Sequence, residues 1–435
     1  MISSVVELAL KKLKSQNIDS ASVGISEENG FSVSVRNGDV ETLENHLEKS
    51  FGVTVYINHQ TGSASSSDFS EESIDKAIAK ACSIASFANP DLFSGLPDKD
   101  QLAIHYPDCK LYFPWEITPA EAIERAIAAE KIALSFDPRI QQCEGASIGT
   151  YCGKHILANT LGFIGEYQTS SHNFGCSVVA SLNNKMQTDS DYTVSRNPAD
   201  LENFELIAKK AAEKTIARLN SRSIKTQSCP VIFEASVAKS LLGSFIAAIS
   251  GGSLYRRASF LVDSIGKIIF PTFINIAQEP HLFSAMGSAP FDSEGVATKN
   301  VDYIKNGELV SYVLGSYSAR KLNLRSTGNA GGIYNLSITH TNHSLKELFK
   351  KMGRGLLVTE LMGQGTNITT GDYSRGAAGF WIDNGEIQFP VEEITIAGNL
   401  KNMLAGIVEI ANDTDTRGSI RTGSILIDQM TIAGS

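Results

Sequence analysis

The chain has 435 residues, a formal net charge of −9, and charged side chains at 20% of its positions. This length allows two or three domains with complete hydrophobic cores. The acidic balance and the lack of a long basic run argue against direct nucleic-acid binding, because neutralising phosphates requires clustered Lys and Arg. No apolar stretch reaches the roughly 18 residues that a membrane-spanning helix needs, so we expect no membrane segment.

The N-terminal residues predict an amphipathic helix over 1–17. Glu7 interrupts its apolar stretch and the basic residues follow, which is the reverse of a secretory signal. We therefore expect a cytoplasmic protein. The six cysteines form no CxxC pair, and in such a protein they predict reduced core thiols.

Alternating apolar residues predict a meander of strands after the first helix. Asn37-Gly38 is the turn dipeptide of a tight hairpin. A helix is expected to begin at Ser70, where a capping residue precedes an acidic first turn. The short strands predicted around these signals cover residues 21–25, 31–35, 40–43, 51–57 and 62–65.

A second helix is predicted from Thr118 to about Ser135, because Thr118 and Glu121 form a capping box around Pro119. Asn183-Asn184 is a further turn signal. The strands predicted before it cover residues 148–151, 155–159, 162–170 and 176–182. A long helix over about 200–221 follows.

The polar stretch 220–228 is the expected domain boundary. We predict an α+β fold, with an N-terminal α+β domain over 1–225 whose helices pack on one face of the sheet. A β-rich C-terminal domain over 226–435 should follow, with a mixed or antiparallel, barrel-like sheet. It opens with a buried strand at 230–233 and a helix over 235–250.

Residues 355–400 combine many glycines with clustered polar side chains, and predict strand, polar loop, strand, turn, strand. The pattern alone also fits an ordinary meander with exposed loops. Asp372 and Arg375 would form either a structural ion pair or a substrate-facing pair. The other polar residues here include Glu360, Gln364 and Tyr373.

Common catalytic motifs are absent from the sequence: there is no HExxH, P-loop, GxSxG or Rossmann glycine pattern. His340 and His343 could share one face and bind a metal, but a satisfied loop pair is the alternative. Arg256 and Arg257 could bind a carboxylate through two-point hydrogen bonds, or remain a solvated basic pair.

The chain resembles the PmbA/TldD family, and most closely its PmbA (TldE) branch, whose members have been labelled modulators of DNA gyrase and later peptidases. The matching segments are PFDSEGV (290–296), SYSARKL (316–322), STGNAGG (326–332), VTELMGQG (358–365), TGDYSRGAAGFW (370–381) and NGEIQFPVEEITIAGNL (384–400). A family GND element appears as Ala411-Asn412-Asp413.

The resemblance implies a two-domain subunit in a dimer that encloses a chamber. In the TldD branch a zinc ion is bound there by an HExxxH helix and a later cysteine, and the two branches form a heterodimer that cleaves flexible peptides. Here Gly243 and Ala248 replace the two histidines, Ser244 replaces the glutamate, and Thr422 replaces the cysteine. Since none of these suits zinc, we expect no metal and no catalytic residue on this chain.

The sequence therefore predicts the metal-free subunit of a TldD/TldE-type metallopeptidase, inactive by itself, whose TldD-like partner carries the zinc. The expected partners are that subunit and peptide substrates, with a homodimer possible when the chain is alone. The residues expected to line the chamber or contact the partner are Glu360, Gln364, Asp372, Tyr373 and Arg375. The alternatives are a non-enzymatic regulatory protein of the gyrase-modulator type and a homodimeric stand-alone peptidase.

Overall fold

The computed structural model describes residues 2–434. Its α-helices are α1 (Ile2–Lys14), α2 (Glu71–Phe87), α3 (Pro119–Ser135), α4 (Phe204–Ala217), α5 (Ala235–Ala248), α6 (Gly251–Tyr255), α7 (Ser316–Lys321), α8 (Leu345–Met352) and α9 (Leu400–Ala405).

Strands β1 to β6 are β1 (Ser20–Arg36), β2 (Asp39–Ile57), β3 (Gln60–Ser66), β4 (Ile140–Asn159), β5 (Ile164–Leu182) and β6 (Lys185–Ser195). The later strands are β7 (Gln227–Phe233), β8 (Ile276–Gln278), β9 (Val301–Lys305), β10 (Glu308–Leu309), β11 (Leu336–Ile338), β12 (Gly355–Met362), β13 (Asp372–Asp383), β14 (Glu386–Asn399), β15 (Ile407–Ile410), β16 (Ile420–Arg421) and β17 (Ile425–Ala433).

The first six strands form one antiparallel sheet in the order β3-β2-β1-β4-β5-β6. The predicted turns at Asn37-Gly38 and Asn183-Asn184 are confirmed, with all four residues at positive φ. The predicted strand lengths are wrong, because pairs of short predicted strands are continuous strands of 17 to 20 residues. Polar and glycine residues such as Gly30 and Gly153 lie inside the ladder and do not end it.

Four helices pack on one face of this sheet, as predicted. α1 and α2 cover one end, where Val23, Phe51 and Ile74 are buried together. α3 and α4 cover the other end, where Val33, Phe174 and Ile207 are buried. Val23 and Val33 are an even number of residues apart on β1, so their side chains point to the same face.

The caps predicted for the helices are present. Thr118 and Glu121 form the expected capping box at α3, and Ser70 caps α2. The helix predicted over 200–221 is shorter, because Asn203 caps α4 and Pro198–Asp200 forms a separate 3₁₀ turn. Four cysteines are buried, but Cys82 and Cys152 are partly exposed, so the prediction that all six lie in the core is wrong for these two.

The later strands form a closed barrel. β14, β13, β12, β7 and β17 pair in that order, and β14 also pairs with β17, which closes the ring. β12 is parallel to β7 and the other pairs are antiparallel, so the sheet is mixed. β15 extends β17 outside the ring.

A second sheet of five short strands, in the order β10-β9-β8-β11-β16, shares a large core with the barrel. α5 contributes Leu241, Leu242 and Phe245 to that core, all fully buried. The structure confirms the α+β class and the barrel-like C-terminal part. The boundary at 225/226 stays a prediction. None of the helices in residues 2–434 has the length and apolar character to cross a membrane.

Candidate functional site

α5 is the helix on which the resemblance places the metal-binding motif of the sister branch. Gly243 and Ser244 in its middle are partly exposed, and the Ser244 hydroxyl donates to the Ser240 carbonyl at 2.9 Å. Ala248 is fully buried in the core. Residues five apart on a helix are rotated by roughly 140°, so positions 243 and 248 face different directions. The structure therefore does not bring Gly243 and Ala248 together on one face.

Thr422 follows β16, which lies beside α5. Its side chain is 1% exposed and its hydroxyl donates to the Gly423 carbonyl at 2.9 Å. A Cβ added to Gly243 would lie 3.8 Å from Cδ1 of Ile420, so position 243 is close to the strand that leads to Thr422. Zinc in proteins takes thiolate, imidazole or carboxylate ligands, and these positions supply none. They do not fit a zinc ion.

Glu360 lies on β12 at a bulge in the pairing with β13. It forms an ion pair with Arg218, at the end of α4, and Arg218 also pairs with Asp189 at 3.3 Å. Burial works against the charge of Arg218, but the two carboxylates outweigh it and raise the pKa of Arg218. Glu360 therefore contacts a residue of its own chain that lies before the predicted boundary.

Gln364 and Asp372 lie at the exposed loop that joins β12 to β13. The Asp372 carboxylate accepts from Thr370 Oγ1 at 2.6 Å and from Asn399 Nδ2 at 3.2 Å, and these bonds lower the pKa of Asp372. Asp372 and Arg375 are three positions apart on one strand, so their side chains point to opposite faces. Of the two alternatives that the sequence left open, the structural ion pair is therefore wrong, and a substrate-facing role of these residues stays a prediction.

Tyr373 lies on the inner face of β13, where it is 2% exposed and packs edge-on against Phe233 at 6.4 Å between ring centroids. Burial, opposed by the nearby Arg375, raises the pKa of Tyr373 to about 12. Arg375 shares this face and is partly exposed. Of the five predicted chamber or interface residues, the structure thus brings Tyr373 and Arg375 together, while Gln364 and Asp372 are exposed and Glu360 is internally paired.

The two histidines considered as metal ligands have other partners. His343 bonds the buried carboxylate of Glu409, which also accepts from Lys351 and from Thr341 Oγ1. His340 Nδ1 contacts the Thr341 carbonyl at 2.9 Å. Within residues 2–434, no group of three or more His, Cys, Asp or Glu side chains is arranged to hold a metal ion.

Arg256 and Arg257 lie on the surface. Arg257 and Asp263 form a loose ion pair at 3.5 Å, with side chains 75% and 79% exposed. Arg256 stacks on the ring of its neighbour Tyr255. The structure agrees with the solvated pair that the sequence left as one alternative.

A cavity of about 780 Å³ lies between α4 and β6 on one side and α8, β12 and β13 on the other. A second cavity of about 310 Å³ adjoins it near the start of α5. The two share Asp191, Lys214, Glu234, Ser236, Asp413 and Arg417. We refer to both together as the α4–α8 cleft.

An ion-pair network borders this cleft. Arg417 makes a two-point contact with Asp415, with both distances at 3.0 Å, and also reaches Asp191 on β6 at 3.2 Å. Lys239 of α5 pairs with Asp415 at 2.8 Å. Burial opposes the Asp415 charge, but the bonds from Arg417 and Lys239 outweigh it and lower the pKa of Asp415. Arg417 thus connects the first sheet to the loop that follows β15.

Asp413, from the element that replaces GND, fixes the start of α5. Its carboxylate accepts from the Ser424 backbone N–H at 2.8 Å and from Ser424 Oγ at 2.6 Å. Ser424 Oγ accepts in turn from the Ala235 N–H at 3.1 Å.

The sequence analysis noted residues 411–413 but missed the polar and charged segment 413–417. Four charged or hydroxyl side chains directly after this family element were the signal that could have drawn attention to it.

Family models cover most of the chain. They are described as PmbA/TldA metallopeptidase domain 1, central domain and C-terminal domain, and they match residues 21–85, 112–219 and 226–434. A metalloprotease PmbA from Escherichia coli O157:H7 is 46% identical over 433 residues, covering 100% of this chain and 95% of that protein. The chain belongs to the PmbA/TldD family.

Other relatives agree with this assignment. A metalloprotease PmbA homologue from Haemophilus influenzae is 43% identical, over 100% of this chain and 95% of that protein. A solved structure from Bacteroides thetaiotaomicron, described as a proposed modulator of DNA gyrase, has a TM-score of 0.94 and 25% identity, covering 100% of this chain and 99% of that one. TldE from Thermococcus kodakarensis, at 21% identity and full coverage of both chains, shares the fold with a TM-score of 0.84.

Two of the PmbA/TldD segments meet through one buried carboxylate. Asp292, in PFDSEGV, accepts from the backbone N–H groups of Glu294 and Val296 at 2.9 Å and of Ala330, in STGNAGG, at 3.0 Å. The adjacent Phe291 packs edge-on against Phe163, at the turn before β5, with ring centroids 5.3 Å apart. These segments therefore attach the part of the chain after residue 226 to the first sheet.

The SYSARKL segment of the PmbA/TldD pattern has a similar role. It forms α7, whose Arg320 donates to the carbonyls of Phe93 and Gly95 at 3.2 and 3.3 Å. Lys321 and Tyr317 both reach Asp91, at 3.0 and 2.7 Å. α7 thus holds the connection between α2 and α3 against the later part of the chain.

Proposed function

We propose that this chain is the metal-free subunit of a cytoplasmic TldD/TldE-type metallopeptidase that acts on flexible or unfolded peptides. The observation that carries the proposal is the accessible face of α5. At the positions where the sister branch binds zinc, this face offers Gly243 and the Ser244 hydroxyl, and the nearby strand leads to the buried Thr422. Family membership supplies the reaction class, since the relatives are named metalloproteases.

In this proposal the chain completes the substrate chamber and a TldD-like partner carries the zinc. An extended peptide could be held by pairing with an exposed strand edge, which recognises backbone and tolerates many sequences. Residues of the β12–β13 loop, including Gln364 and Asp372, are exposed and available for the partner or the substrate. Glu360, Tyr373 and Arg375 would support that loop from within the chain.

The test combines metal analysis with reconstitution. The purified chain is expected to hold less than about one zinc per ten chains, and to cleave a flexible reporter peptide only after a TldD-like subunit is added. A chelator should abolish the activity of the mixture. Chelator-sensitive cleavage by this chain alone would refute the metal-free assignment and favour the stand-alone homodimer.

A second candidate is a non-enzymatic regulatory protein, and the structural likeness to a proposed gyrase modulator favours it. The net charge of −9 makes protein contacts a better basis for such a role than DNA contacts. Affinity purification of the tagged chain separates the two candidates. Recovery of a TldD-like chain supports the peptidase subunit, and recovery of gyrase without it supports the regulator.

A further inference from the structure

The larger part of the α4–α8 cleft has one apolar wall. Phe380 and Leu357, on the neighbouring strands β13 and β12, form its floor, and Phe349 and Leu345 of α8 continue it. Ile387 on β14 stands at the rim with 49% of its surface exposed. Of the other wall residues, Phe380 and Leu345 are partly exposed, whereas Leu357 and Phe349 are buried beneath them. Accessible apolar side chains at a concave surface are typical of a binding site.

The opposite wall is acidic. The lining includes five acidic residues, Asp189, Asp191, Glu213, Glu234 and Asp413, against three basic residues, Lys214, Lys346 and Arg417. Two of these acids already have ion-pair partners, because Asp189 pairs with Arg218, and Asp191 pairs with both Arg417 and Lys214. The cleft therefore keeps an excess of negative charge after its internal ion pairs are counted.

Glu234 is the acid best placed to meet a ligand. It caps the start of α5, and its carboxylate accepts from Ser236 Oγ at 2.8 Å. No Lys, Arg or His in residues 2–434 forms an ion pair with it. Burial raises the pKa of Glu234; the Ser236 hydroxyl and the positive charge of Lys214 oppose this shift, and the neighbouring Asp189 and Asp413 add to it. A cation that enters the cleft would supply the partner that the carboxylate lacks.

We propose that the α4–α8 cleft binds a peptide segment in which a basic side chain stands next to an apolar one. The basic group meets Glu234, and the apolar side chain rests on Phe380 and Ile387. The volume of about 780 Å³ lies within the range of roughly 300 to 1,000 Å³ usual for ligand pockets. The choice of a peptide rests on the proposed function, and the charge and apolar complementarity rest on the cleft itself.

The experiment is a binding titration on the isolated full-length chain. The probe is a fluorescein-labelled octapeptide of alternating leucine and lysine, followed by fluorescence anisotropy, and a matched peptide carries glutamate in place of lysine. Glu234→Gln keeps the acceptor for Ser236 while removing the charge. Asp302→Asn removes an exposed acid on β9, outside the cleft lining, and is the matched control. Ile387→Ser tests the apolar rim.

We expect the leucine–lysine peptide to bind, and Glu234→Gln to weaken its binding by about tenfold, the effect of losing one charge-assisted hydrogen bond. Ile387→Ser should also weaken it, and Asp302→Asn should not. Equal binding to the wild type and Glu234→Gln, or equal binding of the glutamate peptide, would overturn the proposal. Thermal unfolding of each variant shows whether it remains folded.

Two further outcomes separate this inference from the proposed function. The titration uses neither partner nor catalysis. If the chain bound the peptide but formed no active complex with a TldD-like subunit, the proposed function would fail and the cleft assignment would stand. If Glu234→Gln lost a TldD-like partner but kept the peptide, the cleft would be a subunit contact and the inference would be wrong.

Discussion

The middle and the first turn of α5 differ in chemistry. The middle carries Gly243 and Ser244, which offer no group able to bind zinc, at the positions where the resemblance places the motif of the sister branch. Its first turn adjoins Glu234, Asp413 and the Asp415–Arg417 pair. Both regions belong to one helix that packs in a single hydrophobic core, so the contrast does not come from one region being less well packed than the other.

The contrast separates two parts of one helix: the part over which the resemblance places the metal motif of the sister branch, and the first turn. Small side chains in the middle leave α5 packed but without ligands, whereas Lys239, one turn into the helix, pairs with Asp415. Arg417 links Asp415 to Asp191 on β6, and Lys214 of α4 also pairs with Asp191. A subunit that lost its metal but still had to shape a chamber would keep the second set of contacts. Four predictions test this comparison, from the largest expected effect to the smallest.

Arg417→Ala should have the largest effect on stability. It removes the two-point contact on Asp415 and one of the two cations on Asp191, whose side chains are 4% and 7% exposed, and leaves each carboxylate with a single lysine. A buried charge left without any partner would cost about 3 kcal/mol or more, so with the two lysines retained we expect a loss of about 2 kcal/mol. Urea unfolding followed by circular dichroism measures the change in free energy.

The control for this change is Arg257→Ala, which breaks an exposed ion pair of the same residue types. Surface pairs contribute less than about 1 kcal/mol, so this variant should unfold with the wild type. If both variants were destabilised equally, the network beside α5 would be no more important than a surface contact.

Asp415→Asn should change how stability depends on pH. The folded-state pKa of Asp415 is lowered, while an unfolded Asp titrates near about 3.9. The ionised carboxylate therefore stabilises the fold above about pH 4, and this contribution is lost as the pH falls below that value. The wild type should lose stability relative to Asp415→Asn between about pH 5 and pH 3, measured by thermal unfolding at each pH. A constant difference across this window would contradict the assignment.

Glu360→Gln should have a smaller effect. It breaks the contact from β12 to Arg218, but Arg218 keeps Asp189, and the Glu360 side chain is 39% exposed. We expect a loss of less than about 1 kcal/mol in urea unfolding. A loss as large as that of Arg417→Ala would mean that Glu360, and not the network at α5, is the main connection between α4 and the barrel.

Much of the fold could be predicted because its signals are local. Thr118 with Glu121 and the Asn-Gly and Asn-Asn turns specify their own geometry within a few residues. Strand length could not be predicted in this way, because a strand continues wherever the neighbouring strands supply hydrogen bonds. In the sequence, Gly30 and Gly153 suggest the ends of strands. In the structure they pair with Tyr151 and Glu28 and lie within continuous strands.

The candidate site was less predictable for the same reason. The sequence places Asp372 and Arg375 close together, but the strand period separates their side chains. Glu360 and Arg218 are far apart in sequence and meet only after folding. The family resemblance located α5 and Thr422. The α4–α8 cleft remained hidden, since its walls come from segments as distant as β6 and the 413–417 loop.

The smallest effects should follow from changing Ser244 and Thr422, the positions that the resemblance aligns with the catalytic glutamate and a zinc ligand of the sister branch. Ser244→Ala removes a hydroxyl that already bonds the Ser240 carbonyl, and Thr422→Val removes one that bonds the adjacent Gly423 carbonyl. If the chemistry belongs to a partner, both variants should retain peptidase activity within about twofold when mixed with a TldD-like subunit. A loss of a hundredfold or more in either variant, with normal folding and normal complex formation, would place a catalytic role on this chain. Since the same measurement on Glu234→Gln reports on the start of α5, the comparison of the three variants shows whether the complex depends on the start of the helix or on its middle and the adjoining Thr422.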